Sequence, residues 1–395
     1  MNTNTLKLGM IGGGVNSSIG YTHVCASQMD KAWQLTCGAF SSKFSINAES
    51  GEHYGVDKDR VYDSWQELLN QEVGNIDAIA ILSPTPQHED MVIAALKLGI
   101  PVICEKAITY NLASLYRIKS VLEKTNGFLC VTYNYSAYPM VRELRTRILR
   151  RELGELKQIQ IEMPQESMIR GAKSAKPSES KSWHACDGDI PTIHLDLTTD
   201  VHQMIYFLTK RHPISVRAEQ NNFGRYPNVV DDVSSLIEYE DCFHARTWVS
   251  KSALGSKNGL SFRIYGEHAS ASWQQSEPET LLINYSDGRR EIVERGSFCY
   301  TANAPRYNRY KPGHPSGFIE AFGNLYTDFA NAVIYRKNHR SYPMNDLDLY
   351  NGAYSLNTAQ EGLEMMEAMN KSSNSKRLIL LNAPISSALT EIKFG

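Results

Sequence analysis

Apolar and polar positions alternate along this chain in two different rhythms, and the change from one to the other divides it. In the first third, short runs of continuous apolarity at residues 6–11, 33–40, 76–82 and 100–104 are separated by amphipathic stretches. That pattern predicts buried parallel strands joined by helices, with helices at residues 15–29 and 89–98. After a helix over residues 137–152 the rhythm shortens towards period two. Leu156, Ile159 and Ile161 open a new sheet, and residues 214–219, 233–239, 244–249, 260–265 and 281–284 read as further strands, with Asp287 and Gly288 marking a turn. Leu197, Val201, Ile205 and Leu208 repeat at helical spacing, and helices near residues 318–335 and 347–369 close the chain.

Two domains follow from this change of rhythm and from the length of 395 residues, which exceeds what one core usually organises. The predicted architecture is an α/β domain on a parallel sheet over residues 1–135. An α+β domain on a large, mainly antiparallel open sheet follows over residues 136–395, its last helix returning to pack on the first domain. Bulk composition is that of an ordinary globular protein, 42% hydrophobic and 21% charged. A net charge of -2 supplies no general attraction for nucleic acid. Seven scattered cysteines without a CxxC pair read as reduced thiols, and no apolar run reaches membrane-spanning length. With a polar start that lacks the pattern of a signal peptide, these features predict a cytoplasmic protein without membrane contact.

The chemistry begins at the end of the first predicted strand, where Gly12, Gly13 and Gly14 precede a helix. Glycines there allow a tight turn and a close approach of backbone to a pyrophosphate, so the stretch reads as a dinucleotide cradle. The third glycine of the usual fingerprint is missing: Ser17 occupies its place and the next glycine is Gly20. At the end of the second strand stand Ser41, Ser42 and Lys43 in place of the acidic residue that binds an adenosine ribose. These three residues suit a 2′-phosphate as well as a plain helix start, so the expected cofactor is NAD or NADP. Ser83, Pro84, Thr85 and His88 follow the third strand, and Glu105 and Lys106 the fourth. Both turns fall at the carboxyl ends of parallel strands, where ligands bind, and desolvation there would lower the lysine pKa.

The order of Gly12, Gly13 and Gly14, then Ser83-Pro84-Thr85-Pro86 with His88, then Glu105-Lys106 and Thr132-Tyr133-Asn134-Tyr135, resembles the Gfo/Idh/MocA family of oxidoreductases. Asp196-Leu197, Ile264-Tyr265-Gly266 and Gly313-His314-Pro315 extend the resemblance into the second half. It implies a nicotinamide-binding Rossmann domain, an α+β substrate domain and an active site in the cleft between them. It further implies that Gly12, Gly13, Gly14, Ser41, Ser42, Lys43, Ser83, Pro84, Thr85, His88, Glu105, Lys106 and Asn134 hold the cofactor. The family motif Glu-Lys-Pro has Ala107 in place of its proline, so a trans bond that shifts the lysine is one expectation.

In the family a helix reading Asp-x-Gly-x-His supplies an aspartate and a histidine that act with the lysine. Here Asp196 matches the aspartate, but Thr198, Asp200 and Gln203 stand where the glycine, the histidine and the last polar residue belong. On a regular helix Asp196, Asp200 and Gln203 share one face, which should look into the cleft, whereas His202 lies off it. Asp200 is therefore the expected acid–base group and His202 the alternative. The surrounding His184, Cys186, Asp187, Asp189 and His194 are metal-ligand types, but no common metal spacing occurs, so no metal is expected. Arg170, Lys173, Lys176 and Lys181 in the long loop of residues 165–185 would suit an anionic or nucleotide-linked sugar. The expected activity is NAD(P)-dependent hydride transfer at a secondary hydroxyl or ketone of a sugar, cyclitol or sugar derivative, in a homo-oligomer. The alternatives are a redox-neutral NAD-dependent glycosidase and a non-catalytic nucleotide-binding sensor.

Overall fold

The computed structural model describes residues 5–170, 185–338 and 352–381. Its first part runs β1 (Leu6–Gly12), α1 (Gly20–Met29), β2 (Trp33–Ala39), α2 (Phe44–His53), α3 (Trp65–Glu72), β3 (Ala78–Leu82), α4 (His88–Lys97), β4 (Val102–Cys104), α5 (Leu112–Lys124) and β5 (Leu129–Val131). The five strands pair in parallel in the order β2-β1-β3-β4-β5. Every residue of β3, β4 and β5 is buried, as continuous apolarity requires when helices cover both faces. The chain reverses its direction of travel across the sheet at β1, so a crevice opens above β1 and β3.

The second part continues with α6 (Pro139–Leu149), β6 (Leu156–Pro164), α7 (Thr199–Thr209), β7 (Pro213–Asn221), β8 (Asp232–Tyr239), β9 (Phe243–Ser250), β10 (Ser261–Gly266), β11 (Ala269–Gln274), β12 (Thr280–Tyr285), β13 (Arg290–Glu294), α8 (Phe318–Asn338), α9 (Leu356–Ser375) and β14 (Ile379–Leu380). Its strands are ordered β13-β12-β11-β10-β6-β9-β8-β7-β14, antiparallel except where β6 runs parallel to β9. Burial alternates along β8 and β9, so α6, α7 and α9 cover one face and the other carries Gln160, Arg246, Trp248 and Arg263 outward. A concave surface lined by Gln160, Arg246, Trp248 and Arg263 lies on that open face.

The two parts interlock. Tyr354, just before α9, accepts from the Val131 N–H at the edge of β5, and Trp33 donates through Nε1 to the Tyr326 carbonyl of α8. Arg309 pairs with Asp30 at the end of α1, and α8 packs along α1. Residues 301–317 thus brace α1 and α8, through Arg309 and through Arg306, which pairs with Asp328.

Two expectations about elements need correcting. The first helix begins at Gly20 rather than near residue 15; in the turn before it Ser17 Oγ accepts the N–H groups of Ile19 and Gly20. Strands β5, β11, β13 and β14 are additional to those read from the sequence; β11 alternates alanine and serine, too weak a hydrophobic signal to find. Residues 347–351 of the last predicted helix, and residues 171–184 with Lys173, Lys176, Lys181 and His184, lie outside the described residues.

Candidate active site

The cradle after β1 is built as its glycines require. Gly12 and Gly13 have φ of +77° and +74°, and a Cβ on Gly12 would lie 2.8 Å from the main chain of Leu82 and Ser83. Gly20 does what the missing third glycine would have done, since its Cβ would sit 1.9 Å from the Gly13 carbonyl oxygen. The wider spacing is the signal that sequence reasoning missed: the close contact between helix and strand is kept, three residues later than the fingerprint puts it. The turn is tied down by Tyr54, which donates to the Gly13 carbonyl, and by Ser50 Oγ, which accepts from Val15.

At the end of β2, Ser41 Oγ accepts the Lys43 N–H, while Ser42 and Lys43 are exposed and no side chain caps α2. Beyond β3, the Ser83 hydroxyl lies against Met91, Pro84 is exposed and Thr85 buried. His88 is fully enclosed, with Nε2 2.7 Å from the Ser83 carbonyl and Nδ1 3.1 Å from that of Ala107. Its ring braces the turns after β3 and β4 against each other and presents nothing to a cofactor, and burial lowers its pKa. After β5, the Asn134 side chain is buried with no hydrogen-bond partner for its Nδ2 in the protein. A buried amide donor without an acceptor, on the cradle's side of the sheet, fits a site that takes a polar ligand.

Glu105 accepts from Thr132 Oγ1 and lies 3.1 Å from His23 Nε2, whose other nitrogen meets the Tyr326 hydroxyl at 2.8 Å. Burial alone would raise the Glu105 pKa, but the bonds from His23 and Thr132 and the charge of Lys106 hold it below the usual carboxylate range. The next peptide bond, Lys106–Ala107, is cis, so the expected trans bond does not occur.

Lys106 reaches across to α7 and the turn before it. Its Nζ donates to the Asp196 main-chain carbonyl at 2.5 Å and lies 3.0 Å from Asp200 Oδ2 and 3.4 Å from Asp196 Oδ1. Asp196 belongs to a π turn over His194–Thr198, a local re-spacing of the helical ladder that recurs at functional sites. Asp200 is 1% exposed, and burial pushes its carboxyl up to about 6 against the lowering effect of Lys106. Lys106 was expected to have a lowered pKa, and the structure corrects this. Desolvation does act that way, but the nearby charges of Asp200 and Asp196 outweigh it and keep the ammonium protonated well above its ordinary value.

The other polar residues of this segment turn away. His202 is buried between α7 and α9 with Nε2 3.3 Å from Glu361, so it does not face Lys106, and burial lowers its pKa. Gln203 donates to Ser136 Oγ and to the Ala353 carbonyl, so it too is inside rather than in the cleft. His194 meets Thr198 Oγ1 and Gln220, and burial drops its pKa to about 3, leaving it neutral.

Two neighbours were not among the residues assigned a role from the sequence; Lys251 carried no signal at all, and Tyr135 appeared only within the family motif. Lys251, directly after β9, places Nζ 2.6 Å from Asp196 Oδ2. Tyr135, whose hydroxyl accepts from Asn258 Nδ2 at 3.0 Å, feels the charges of Asp200 and Lys106, and Asn258 in turn meets Gln165 and Gln275. Among the described residues no group of three histidine, cysteine or acidic side chains is arranged to hold a metal ion, and no helix is long and apolar enough to cross a membrane.

A partly buried ammonium between two carboxylates, beside a glycine cradle on a parallel sheet, is an arrangement suited to proton and hydride transfer at an alcohol carbon. Comparison with known proteins agrees. Residues 6–133 match the family model for the oxidoreductase family with an NAD-binding Rossmann fold, and residues 141–272 match the Gfo/Idh/MocA C-terminal domain. The uncharacterized oxidoreductase YfiI of Bacillus subtilis is 27% identical over 351 residues, 87% of this chain and 89% of that one. Glucose-6-phosphate 3-dehydrogenase of the same organism is 23% identical over 287 residues, 70% of this chain and 77% of its own. The crystal structure of an inositol dehydrogenase homolog from Azotobacter vinelandii, complexed with NADH and myo-inositol, superposes with a TM-score of 0.85 at 25% identity, covering 95% of this chain and 98% of that one. The chain therefore belongs to the Gfo/Idh/MocA family and is an NAD-binding oxidoreductase.

Proposed function

We propose that this enzyme is a dehydrogenase of a secondary hydroxyl in a sugar, a cyclitol or a derivative of one. The observation that carries the reading is the 3.0 Å approach of Lys106 Nζ to a buried Asp200 whose pKa is about 6. When bound, the nicotinamide supplies the hydride acceptor or donor. Lys106, protonated, donates a hydrogen bond to the reacting oxygen and stabilises the negative charge that grows there as the hydroxyl proton leaves. Asp200 takes that proton, because its raised pKa makes it a stronger base than an exposed carboxylate while it stays mostly ionised at neutral pH. Asp196 orients the ammonium. In the reverse direction the same groups return the proton to a ketone oxygen.

Gly12, Gly13 and Gly14, Ser83, Pro84, Thr85, Glu105 and Asn134 would frame the cofactor, and His88 would act only by holding two of those turns together. Ser41, Ser42 and Lys43 leave room for a 2′-phosphate, so NADP belongs to the reading beside NAD. The two units divide near residue 135, the open sheet face suits self-association into a homo-oligomer, and the seven free cysteines suit a cytoplasmic enzyme.

Incubating the protein with NAD and with NADP against a panel of polyols and sugars, myo-inositol and glucose 6-phosphate included, tests the proposal. Reduced nicotinamide should accumulate with at least one member, and Lys106→Met should abolish this while still binding nucleotide. Bond cleavage without net reduction would point instead to a redox-neutral glycosidase. Nucleotide binding with no turnover of any member would point to a sensor.

A further inference from the structure

Lys106 has three ammonium protons to place. Two have short partners, the Asp196 carbonyl at 2.5 Å and Asp200 Oδ2 at 3.0 Å. The third faces Asp196 Oδ1 at 3.4 Å, a long contact for a lysine and an aspartate, which when free to meet close to about 2.7–2.9 Å. The other oxygen of that carboxylate, Oδ2, is 2.6 Å from Lys251 Nζ.

Lys251 is fixed at its root. Its N–H donates to the Asp231 carbonyl at 2.7 Å, its own carbonyl accepts from Met168 at 2.8 Å, and the preceding Ser250 carbonyl accepts from Gln165 at 2.7 Å. Asp231 is held in turn, its carboxylate accepting from the main chain of Phe223 and Gly224. The Lys251 side chain is 4% exposed, while that of Asp196 is 34% exposed. An enclosed cation spent on a carboxylate that is itself one-third exposed is a poor device for stability. It is a good one for aiming that carboxylate.

We propose that Lys251 is a positioning residue for the reaction: it draws Asp196 away from Lys106 and so reserves the third ammonium proton for the substrate oxygen. This rests on the reading of Lys106 as the donor to that oxygen. Without Lys251 the Asp196 carboxylate would close on Lys106 and compete with the substrate for the same proton. The loss should then fall on the chemical step more than on nucleotide binding.

The test compares Lys251→Met and Lys251→Gln with Lys251→Arg. Crystal structures of the first two should show Asp196 Oδ1 within about 2.9 Å of Lys106 Nζ. On the substrate found in the polyol panel, kcat should fall about 10- to 100-fold with NADH affinity unchanged, and arginine should restore most of it. A separation that stays at 3.4 Å, a wild-type kcat, or a loss confined to KM would each overturn the proposal. A wild-type enzyme that turns over nothing would sink the dehydrogenase reading, and the crystallographic separation would still decide the role of Lys251.

Discussion

Replacing Asp200 by asparagine keeps the shape of the side chain and removes the carboxylate that lies 3.0 Å from Lys106. Lys106 retains the Asp196 carbonyl and carboxylate, so the ammonium stays in place and only the proton acceptor is lost. Loss of a general base costs about 10²- to 10⁴-fold in rate. At about 1.36 kcal/mol per tenfold, that is roughly 3–5 kcal/mol of transition-state stabilisation. The pH dependence carries a sign that can be worked from the structure. Asp200 acts as a base only when ionised, and burial raises its carboxyl from 3.8 to about 6. The oxidation rate should therefore fall as pH drops through about 6, and should be near its plateau one unit above, where the group is about ten-to-one ionised. The assay is initial-rate formation of reduced nicotinamide on either side of that pKa, with NADH affinity measured alongside. Asp200→Asn should lose both the rate and the acid limb. A variant that keeps wild-type kcat, or a wild-type enzyme whose acid limb lies at the pKa of an exposed carboxylate, would refute Asp200 as the acceptor.

Gly20→Ala places a methyl 1.9 Å from the Gly13 carbonyl oxygen, so it should weaken nucleotide affinity by calorimetry and destabilise the fold by about 1–3 kcal/mol in denaturant unfolding. His202→Gln should leave kcat and the pH profile nearly unchanged, because the ring faces Glu361 and not Lys106, while costing about 1–3 kcal/mol of stability. If NADP is accepted, Lys43→Glu should lower kcat/KM for NADP more than for NAD, since it sets a negative charge beside the exposed end of β2; equal losses with both nucleotides would rule out a 2′-phosphate there.

What the sequence disclosed, and what it hid, follows from the range of each interaction. The parallel sheet, the glycine cradle and the placement of Lys106 at a strand's end are local patterns, readable over a dozen residues. The phase of α7 is local too: counting residues is enough to separate His202 from Asp200, and the structure has them facing different neighbours. Lys251 was invisible because nothing near it in sequence is unusual; its meaning comes from Asp196, 55 positions earlier, and from the pairing of β6 with β9. The pKa of Lys106 was misjudged for a similar reason. Desolvation can be guessed from a strand's end, but the two carboxylates that reverse its effect arrive on a distant helix. His88 looked like a ligand because its motif sits beside the cleft, and only the two carbonyls facing its ring show that it is a strut.

The bond from Val131 to Tyr354 and the seat of Trp33 on α8 make the first sheet depend on residues more than two hundred positions later in the chain. Cutting the chain near residue 135 would separate the first sheet from Tyr354 and from the carbonyl of Tyr326 that these bonds use. A segment so cut would leave behind the two helical regions that finish its own edge, so an exchange that keeps these bonds carries both regions with it.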